Sequence, residues 1–297
     1  MTKDYPEIEK AFADLAASPK EIRHGLIMNR VRELYDESLE YFDKHHIVGT
    51  FLHGSQNYGL DTETSDVDTK TIITPTLYHL SVLGKPVSHT HVRTNDEHID
   101  FKDVRAYTQC FEKQNLNFVE ILFTDFSVVN EEYAEQWKRL TDAREDIAHM
   151  NQWAAVHAMM GVGKNKYDMR NRESTPEKTE IVKKYGYNGK EVGNLLRIYD
   201  FMDKYIKGEE YLACMTPEGE MRKRILDYKK LDVIPFVEAE NEALYYFEKL
   251  TEMGTNFCME NPNYAEDKTM RLLKEVNYNI MKIAMSKEVN EPLKHNF

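Results

Sequence analysis

The feature that most constrains the fold of this chain is a pair of short apolar runs, each of which lies next to residues that could bind a ligand or a metal ion. The first run, 47–53, is rich in β-forming residues and leads directly into Gly54 and Ser55. The second run begins beside Asp66 and Asp68, which stand one residue apart. A strand that enters a Gly-Ser turn, followed by a strand headed by two acids, predicts a small sheet with a polar edge.

The two acids at the head of the second run are candidate metal ligands. Successive side chains of a strand point to opposite faces, so Asp66 and Asp68 are predicted to point the same way while Val67 enters the core. Two carboxylates on one side suit a hard divalent cation such as Mg²⁺ or Mn²⁺. An ordinary acidic turn is the alternative, because Asp and Ser favour turns. The Gly-Ser upstream and the strand downstream favour the metal site.

The Gly-Ser turn is a candidate phosphate site. A strand-to-helix turn offers unpaired backbone N–H groups, which suit an anion. Gly54 has no Cβ and lets a ligand approach the backbone closely, and the Ser55 hydroxyl can cap a helix or donate to a phosphate. A cation site beside a phosphate site predicts phosphoryl or nucleotidyl transfer.

The motif carries a family resemblance. The string His-Gly-Ser-Gln-Asn-Tyr-Gly-Leu at 53–60 with Ser-Asp-Val-Asp at 65–68 resembles the signature of the DNA polymerase β-type nucleotidyltransferase superfamily. Within it, the chain is similar to the RNA repair pathway DNA polymerase β family of bacteria and large phages, also described as predicted nucleotidyltransferases. The stretches 115–122 and 186–197 resemble further motifs of that family, although Leu116 replaces its usual proline and Asn194 stands near a common histidine.

The resemblance implies a catalytic centre with three carboxylates, the usual ligand set for two metal ions in nucleotidyl transfer. Asp66 and Asp68 supply two of them, and the third is expected on a later strand. Asp100 is the preferred candidate, because alternation in the predicted strand 97–104 turns it away from the apolar side chains. Asp103, Asp96 and Glu97 remain alternatives for this position.

Composition limits the class of protein. A chain of 297 residues with 41% hydrophobic residues can bury a sizeable core in one large or two modest domains. A formal net charge of −12 opposes non-specific binding to nucleic acid. No apolar run approaches the ~20 residues of a membrane span, and Met1 to Pro6 lack the apolar core of a signal peptide. Three widely spaced cysteines indicate reduced thiols in a cytoplasmic protein.

The periodicity of the chain predicts an α+β fold. A helical region at 7–45 precedes the strands 47–53, 67–73 and 97–104, with an irregular insertion at 77–96. The later helices are predicted at 104–113, 117–123, 131–148, 151–170, 189–207, 218–230, 235–260 and 264–286. The resemblance implies a small mixed-sheet, palm-like catalytic domain at 1–126 and an all-helical domain at 127–297 that closes a cleft.

The helical half offers cations for the triphosphate. Lys190, Asn194 and Arg197 fall on one face of a predicted helix, beside an apolar stripe. The alternative is a pair of solvated charges matched to Glu191 and Asp200. A basic segment at 164–184 is the next candidate and is otherwise a solvated connector. The glycines that precede Lys164 do not have the phosphate-loop spacing and indicate helix packing.

The sequence therefore predicts a Mg²⁺- or Mn²⁺-dependent nucleotidyltransferase. It would bind a nucleoside triphosphate such as ATP at Gly54, Ser55, Lys190 and Arg197, with Asp66, Asp68 and Asp100 as catalytic and metal-binding residues. The acceptor is an RNA 3′ end, as the family name implies, or a hydroxyl of a protein or small molecule. The alternative is a non-catalytic nucleotide-binding or antitoxin-like module with the same fold. The preferred base and the oligomeric state stay open.

Overall fold

The apolar runs of the sequence form one mixed five-stranded sheet in a computed structural model that describes residues 19–62, 65–94, 97–230 and 233–290. The spatial order is β3-β4-β2-β1-β5, with β2 and β4 parallel and the other neighbours antiparallel. The strands are β1 Ile47–His53, β2 Asp68–Ile73, β3 Ser88–Val92, β4 His98–Asp103 and β5 Ser127–Val129.

The register of the central strands decides which side chains share a face. His53 of β1 lies opposite Asp68 of β2, and Lys70 of β2 lies opposite Asp100 of β4. Because side chains alternate along a strand, these four residues project from the same face of the sheet. The chain thereby gathers two acids, a lysine and a histidine where the sequence suggested a polar edge.

The opposite face of the sheet is apolar and is covered by helix α1, Pro19–Ser38. Val31 and Leu34 of α1 are fully buried, and they belong to clusters that include Leu52 of β1 and Ile99 of β4. Burial of one strand face against a helix fixes the register, since a shift by one residue would expose the apolar set.

The rest of the chain is mainly helical. A single buried cluster runs from Phe51 and Ile72 of the sheet to Leu195 and Leu250 of the helices, so the two halves share a core. The helices are α2 Val104–Glu112, α3 Leu116–Val119, α4 Ala134–Asp142, α5 Arg144–His149, α6 Gln152–Met169, α7 Pro176–Tyr185, α8 Gly189–Ile206, α9 Tyr211–Met215, α10 Gly219–Lys229, α11 Phe236–Glu260 and α12 Asp267–Asn290. The last helix, α12, returns to contact α2 and α4.

The α+β class is confirmed, and the structure adds two strands and two helices to the predicted elements, one of them the short helix α9. Strand β3 lies in the stretch 77–96 that the sequence presents as an irregular insertion. Strand β5 directly follows residue 126, the expected end of the first half, and pairs with β1. Helix α7 occupies the basic segment for which a connector is the alternative.

The structure bears on two predictions about helices, the helical region 7–45 and the glycines before Lys164. Only 19–38 of the predicted helical region 7–45 is a described α-helix, a short 3₁₀ turn covers Lys44–His46, and residues 1–18 lie outside the described residues. The glycines before Lys164 lie within α6, where a Cβ at Gly163 would come 2.0 Å from Leu250 Cδ2. This glycine therefore permits close helix packing.

In the described ranges, no helix combines the length and hydropathy needed to cross a bilayer.

Candidate active site

Asp66 and Asp68 lie together at the start of β2. The strand begins at Asp68, one residue later than predicted, and the Asp66 backbone carbonyl accepts a hydrogen bond from Gln56. One Asp68 oxygen, Oδ1, accepts the His98 N–H at 2.9 Å and lies 3.0 Å from His98 Nδ1. Burial and then the negative charge of Asp66 raise the pKa of Asp68. The two carboxylates are therefore close enough to repel each other, which is the electrostatic condition for a cation site.

Asp100 shares the face of Asp68 but is already bound by protein groups. Its Oδ2 lies 3.1 Å from Lys70 Nζ, and its Oδ1 accepts a hydrogen bond from Thr90 Oγ1 at 3.2 Å. Lys70 is only 5% exposed, and its ammonium lies 4.4 Å from the centre of the Phe118 ring. The sequence prediction did not include Lys70 among the site residues.

The other candidates for the third carboxylate lie elsewhere. Asp103 has the same alternation as the buried residues of β4, is fully buried and caps α2 by accepting the Arg105 N–H at 2.8 Å. Glu97 forms ion pairs with Arg30 and with Arg93. Asp96 lies outside the described residues.

Two side chains at the start of β2 have the chemistry to bind a hard cation. Asp66 and Asp68 offer carboxylate oxygens of the kind that Mg²⁺ and Mn²⁺ prefer. Among the residues that the structure describes, no cluster of three or more His, Cys, Asp or Glu side chains is arranged to hold a metal ion. The protein groups that could bind a cation here are the carboxylates of Asp66 and Asp68.

Gly54 forms the turn that follows β1. Its φ of 100° and ψ of −156° fall in a region that is essentially restricted to glycine. A short 3₁₀ turn, Ser55–Tyr58, follows and ends at Gly59 with φ 65°. The Gly54 N–H donates to Glu120 Oε1 at 3.2 Å, so the first backbone donor of the turn is bound within the protein.

Glu120 binds two residues of this turn, Gly54 and Tyr58, and the sequence prediction did not assign it this role. The side chain is buried, accepts the Gly54 N–H and the Tyr58 hydroxyl, and lies 3.6 Å from His53 Nδ1. Burial raises the pKa of Glu120. Burial, and then the charge of Lys70, lower the pKa of His53 to about 3, so His53 is neutral. Glu120 could have been selected from the sequence, because it lies in the stretch 115–122 that resembles a motif of the family.

Cations from the helical half lie against the same turn. The guanidinium carbon of Arg197 on α8 is 4.4 Å from the centre of the Tyr58 ring. From α10, Arg222 Nη2 donates to the Gly59 carbonyl at 2.9 Å, and Lys229 donates to the Leu60 carbonyl. Sequence reasoning did not select either residue of α10.

Lys190 belongs to this group of charges. It lies exposed at the start of α8, and its charge acts on Lys229 of α10. Burial, followed by the charge of Lys190 and further by that of Arg197, lowers the pKa of Lys229, while Asp61 and Asp66 act in the opposite direction. Lys229 is therefore within electrostatic range of two other cations, Lys190 and Arg197, and of two acids, Asp61 and Asp66.

The alternative partners predicted for Lys190 and Arg197 pair with other lysines. Glu191 is buried and binds Lys166 at 2.9 Å and Lys178 at 3.0 Å, and Asp200 binds Lys204 at 2.9 Å. Although burial opposes it, these lysines lower the pKa of Glu191. Two cations of the basic segment 164–184, Lys166 and Lys178, are therefore paired with the buried Glu191.

Comparison with known proteins identifies relatives of this chain. The profile of the RNA repair pathway DNA polymerase beta family (RlaP) matches residues 28–188. A solved structure of a nucleotidyltransferase-like protein from Exiguobacterium sibiricum 255-15 is similar, with 14% identity, coverage of 77% of this chain and 74% of that chain, and a TM-score of 0.27. No curated protein matches.

Proposed function

Since the chain belongs to the RNA repair pathway DNA polymerase beta family, we propose that it is a metal-dependent nucleotidyltransferase. It would move a nucleoside monophosphate from a nucleoside triphosphate to a hydroxyl acceptor and release pyrophosphate. The observation that carries this proposal is that Arg197 and Lys229 of the helical half contact the glycine-containing turn at Tyr58 and Leu60, next to the Asp66–Asp68 pair in sequence.

The acidic pair is the proposed metal site. Asp66 and Asp68 would hold Mg²⁺ or Mn²⁺, which when bound supplies charge neutralisation for the phosphates. The hydrogen bond from His98 to Asp68 Oδ1 fixes one carboxylate and leaves its other oxygen available. Asp100, which shares the sheet face of Asp68, is the third acid that we assign to the site on the strength of the family resemblance.

The turn and the facing helix are the proposed triphosphate site. We place this site in a cleft between the predicted halves, 1–126 and 127–297, with β5 at Ser127–Val129 still part of the sheet. Gly54, whose own N–H is bound to Glu120, would let the phosphates approach the turn closely, Ser55 would donate to them, and Arg197 and Lys190 would supply cations. Arg197 Nε is buried and makes no protein hydrogen bond, so it is a donor without a partner. A charge-assisted hydrogen bond to a phosphate contributes about 1.5–3 kcal/mol to binding.

The charge of the protein favours some classes of acceptor molecule over others. The family name suggests RNA, whose backbone requires a basic surface. The chain has a formal net charge of −12, and Lys166, Lys178 and Arg170 of the basic segment are bound to acids. These features support a compact acceptor, a short RNA 3′ end or a protein or small-molecule hydroxyl, over a long duplex.

Cys110, Cys214 and Cys258 are free thiols, which fits a cytoplasmic location.

A direct assay tests the function. The purified chain is incubated with Mg²⁺, each α-labelled nucleoside triphosphate in turn, and a mixture of short RNAs and proteins. We expect label in one macromolecular fraction, identified by mass spectrometry, and none with Asp68→Asn. Asp142→Asn, an exposed aspartate on α4, is the matched control and should retain transfer. A non-catalytic binding module would bind nucleotide without incorporation in any fraction.

A further inference from the structure

The centre of the candidate site contains a buried lysine. Lys70 lies two residues after Asp68 on the same face of β2 and is 5% exposed. A buried ammonium is costly unless charged or polar partners compensate for the lost water. The partners of Lys70 should therefore show why this face of the sheet keeps a cation.

Two side chains compensate Lys70. Asp100 Oδ2 lies 3.1 Å from its ammonium, and the Phe118 ring lies beneath it at 4.4 Å. The negative face of an aromatic ring attracts a cation, so the ion pair and the ring act together. The charge of Lys70 also reaches the turn, where it contributes to the lowered pKa of His53.

The pairing has a consequence for Asp100. With Lys70 on Oδ2 and Thr90 on Oδ1, both carboxylate oxygens are engaged by protein donors. In a site for two divalent ions about 3.5–4 Å apart, the third carboxylate would need an oxygen free to ligate one of the ions. Here the position next to that carboxylate already holds a positive charge, and a second dication would have to displace or repel it.

We propose that Lys70 is a built-in cation that takes the place of a second metal ion. The site would then work with one divalent cation, held by Asp66 and Asp68, while Lys70 neutralises Asp100. This inference rests on the proposed function and departs from the two-ion site that the resemblance implied. Three acids, one dication and one ammonium leave no net charge, as the single-cation arrangement requires.

The test counts bound metal. Mn²⁺ binding to the full chain is measured by electron paramagnetic resonance, alone and with each of the four α,β-methylene nucleoside triphosphates. We expect one Mn²⁺ per chain under saturating conditions. Lys70→Met removes the charge at similar length, frees Asp100, and should raise the count to two. Asp100→Asn should leave the count at one.

A second lysine provides the matched control. Lys102 lies over the same Phe118 ring at 4.9 Å but donates to Ser88. Lys102→Met should therefore leave the count at one. If Lys70→Met does not fold, the counts of the parent and of Asp100→Asn decide the question.

The outcomes separate the inference from the proposed function. Two Mn²⁺ ions in the parent, or a lost ion in Asp100→Asn, would overturn the single-cation inference, and measured transfer would leave the function standing. One Mn²⁺ ion without transfer to any acceptor would support the inference and overturn the function. Absence of any bound Mn²⁺ would overturn both.

Discussion

Arg197 and Tyr58 join the two halves of the protein through a stacked contact, with the guanidinium carbon 4.4 Å from the ring centre. The Tyr58 hydroxyl donates to the buried Glu120, which also accepts the Gly54 N–H. The turn after β1 is thus held from beneath by an acid and covered from the other half by a cation. We make three predictions about this site and a fourth about the buried histidine His46.

The first concerns the cations. Arg197→Ala and Lys190→Ala should each weaken nucleotide binding about ten- to a hundredfold, because each removes a charge-assisted contact of about 1.5–3 kcal/mol. Titration calorimetry with Mg²⁺ and nucleoside triphosphate measures the change. Lys207→Ala, just past the end of the same helix, removes an exposed charge paired with Asp203 and is the control. Unchanged affinity in both site variants would place the triphosphate elsewhere.

The second concerns the acidic pair. Asp66→Asn and Asp68→Asn should each abolish transfer while the melting temperature changes little. Asp68→Asn relieves the repulsion between Asp68 and Asp66 and keeps a side-chain oxygen that can accept the His98 N–H, so the loss of the charge beside His98 should cost little stability. Incorporation of labelled nucleotide and thermal melting are measured on the same samples. Normal turnover in either variant would contradict the metal-site interpretation.

The third concerns Gly54. A Cβ at this position would meet no atom within 4 Å, so the cost of Gly54→Ala lies in the backbone and not in a clash. Its conformation is essentially restricted to glycine and should cost about 1–3 kcal/mol in the free energy of unfolding, or distort the turn. We expect weaker nucleotide binding as well.

Gly84→Ala separates strain from site damage. Gly84 has φ 66° and also meets no atom within 4 Å, but it lies outside the turn. Urea denaturation should show destabilisation in both variants, with a loss of nucleotide affinity only in Gly54→Ala. Equal affinity of Gly54→Ala and the parent would remove the turn from the binding site.

The fourth concerns pH. His46 is fully buried, and burial, followed by the charge of His45, lowers its pKa from 6.5 to about 4. The unfolded chain takes up a proton near pH 6.5 and the folded one does not, so stability falls as the pH drops from about 6.5 to about 4. Between pH 7 and 5 this histidine should account for a loss of about 1–2 kcal/mol.

Denaturation at the two pH values measures that loss. His46→Gln should reduce the difference in the free energy of unfolding between pH 7 and pH 5 by about 1–2 kcal/mol. His24→Gln, an exposed histidine on α1, should leave the difference unchanged. An unaltered difference in His46→Gln would show that another group titrates in this range.

The sequence was most informative where periodicity and residue type agreed. The strands 47–53 and 97–104 and the helices α6, α8, α10 and α11 were predicted within a few residues, because their apolar stripes are long. Strand β5 has three residues, too few for a pattern to appear. Strand β3 is largely exposed, so it has no apolar face that could mark it.

The site was predicted only as far as residue type allowed. Asp66, Asp68 and Gly54 stand in a recognisable motif, whereas Lys70 resembles any polar residue of a half-exposed strand. Its burial depends on Asp100 and Phe118, which are distant in sequence and meet it only through the parallel pairing of β2 with β4. A single sequence does not reveal such a partnership between strands.

The two bonds from α10 to the turn link ligand occupancy to the relative position of the halves. Arg222 binds the Gly59 carbonyl at 2.9 Å, and Lys229 binds the carbonyl of Leu60. Any movement of α10 away from the sheet must break these bonds and relax the loop. A ligand that binds only when the loop has its present shape would therefore also hold α10 in place. The residence time of that ligand would then depend on the movement of α10 as well as on the phosphate contacts.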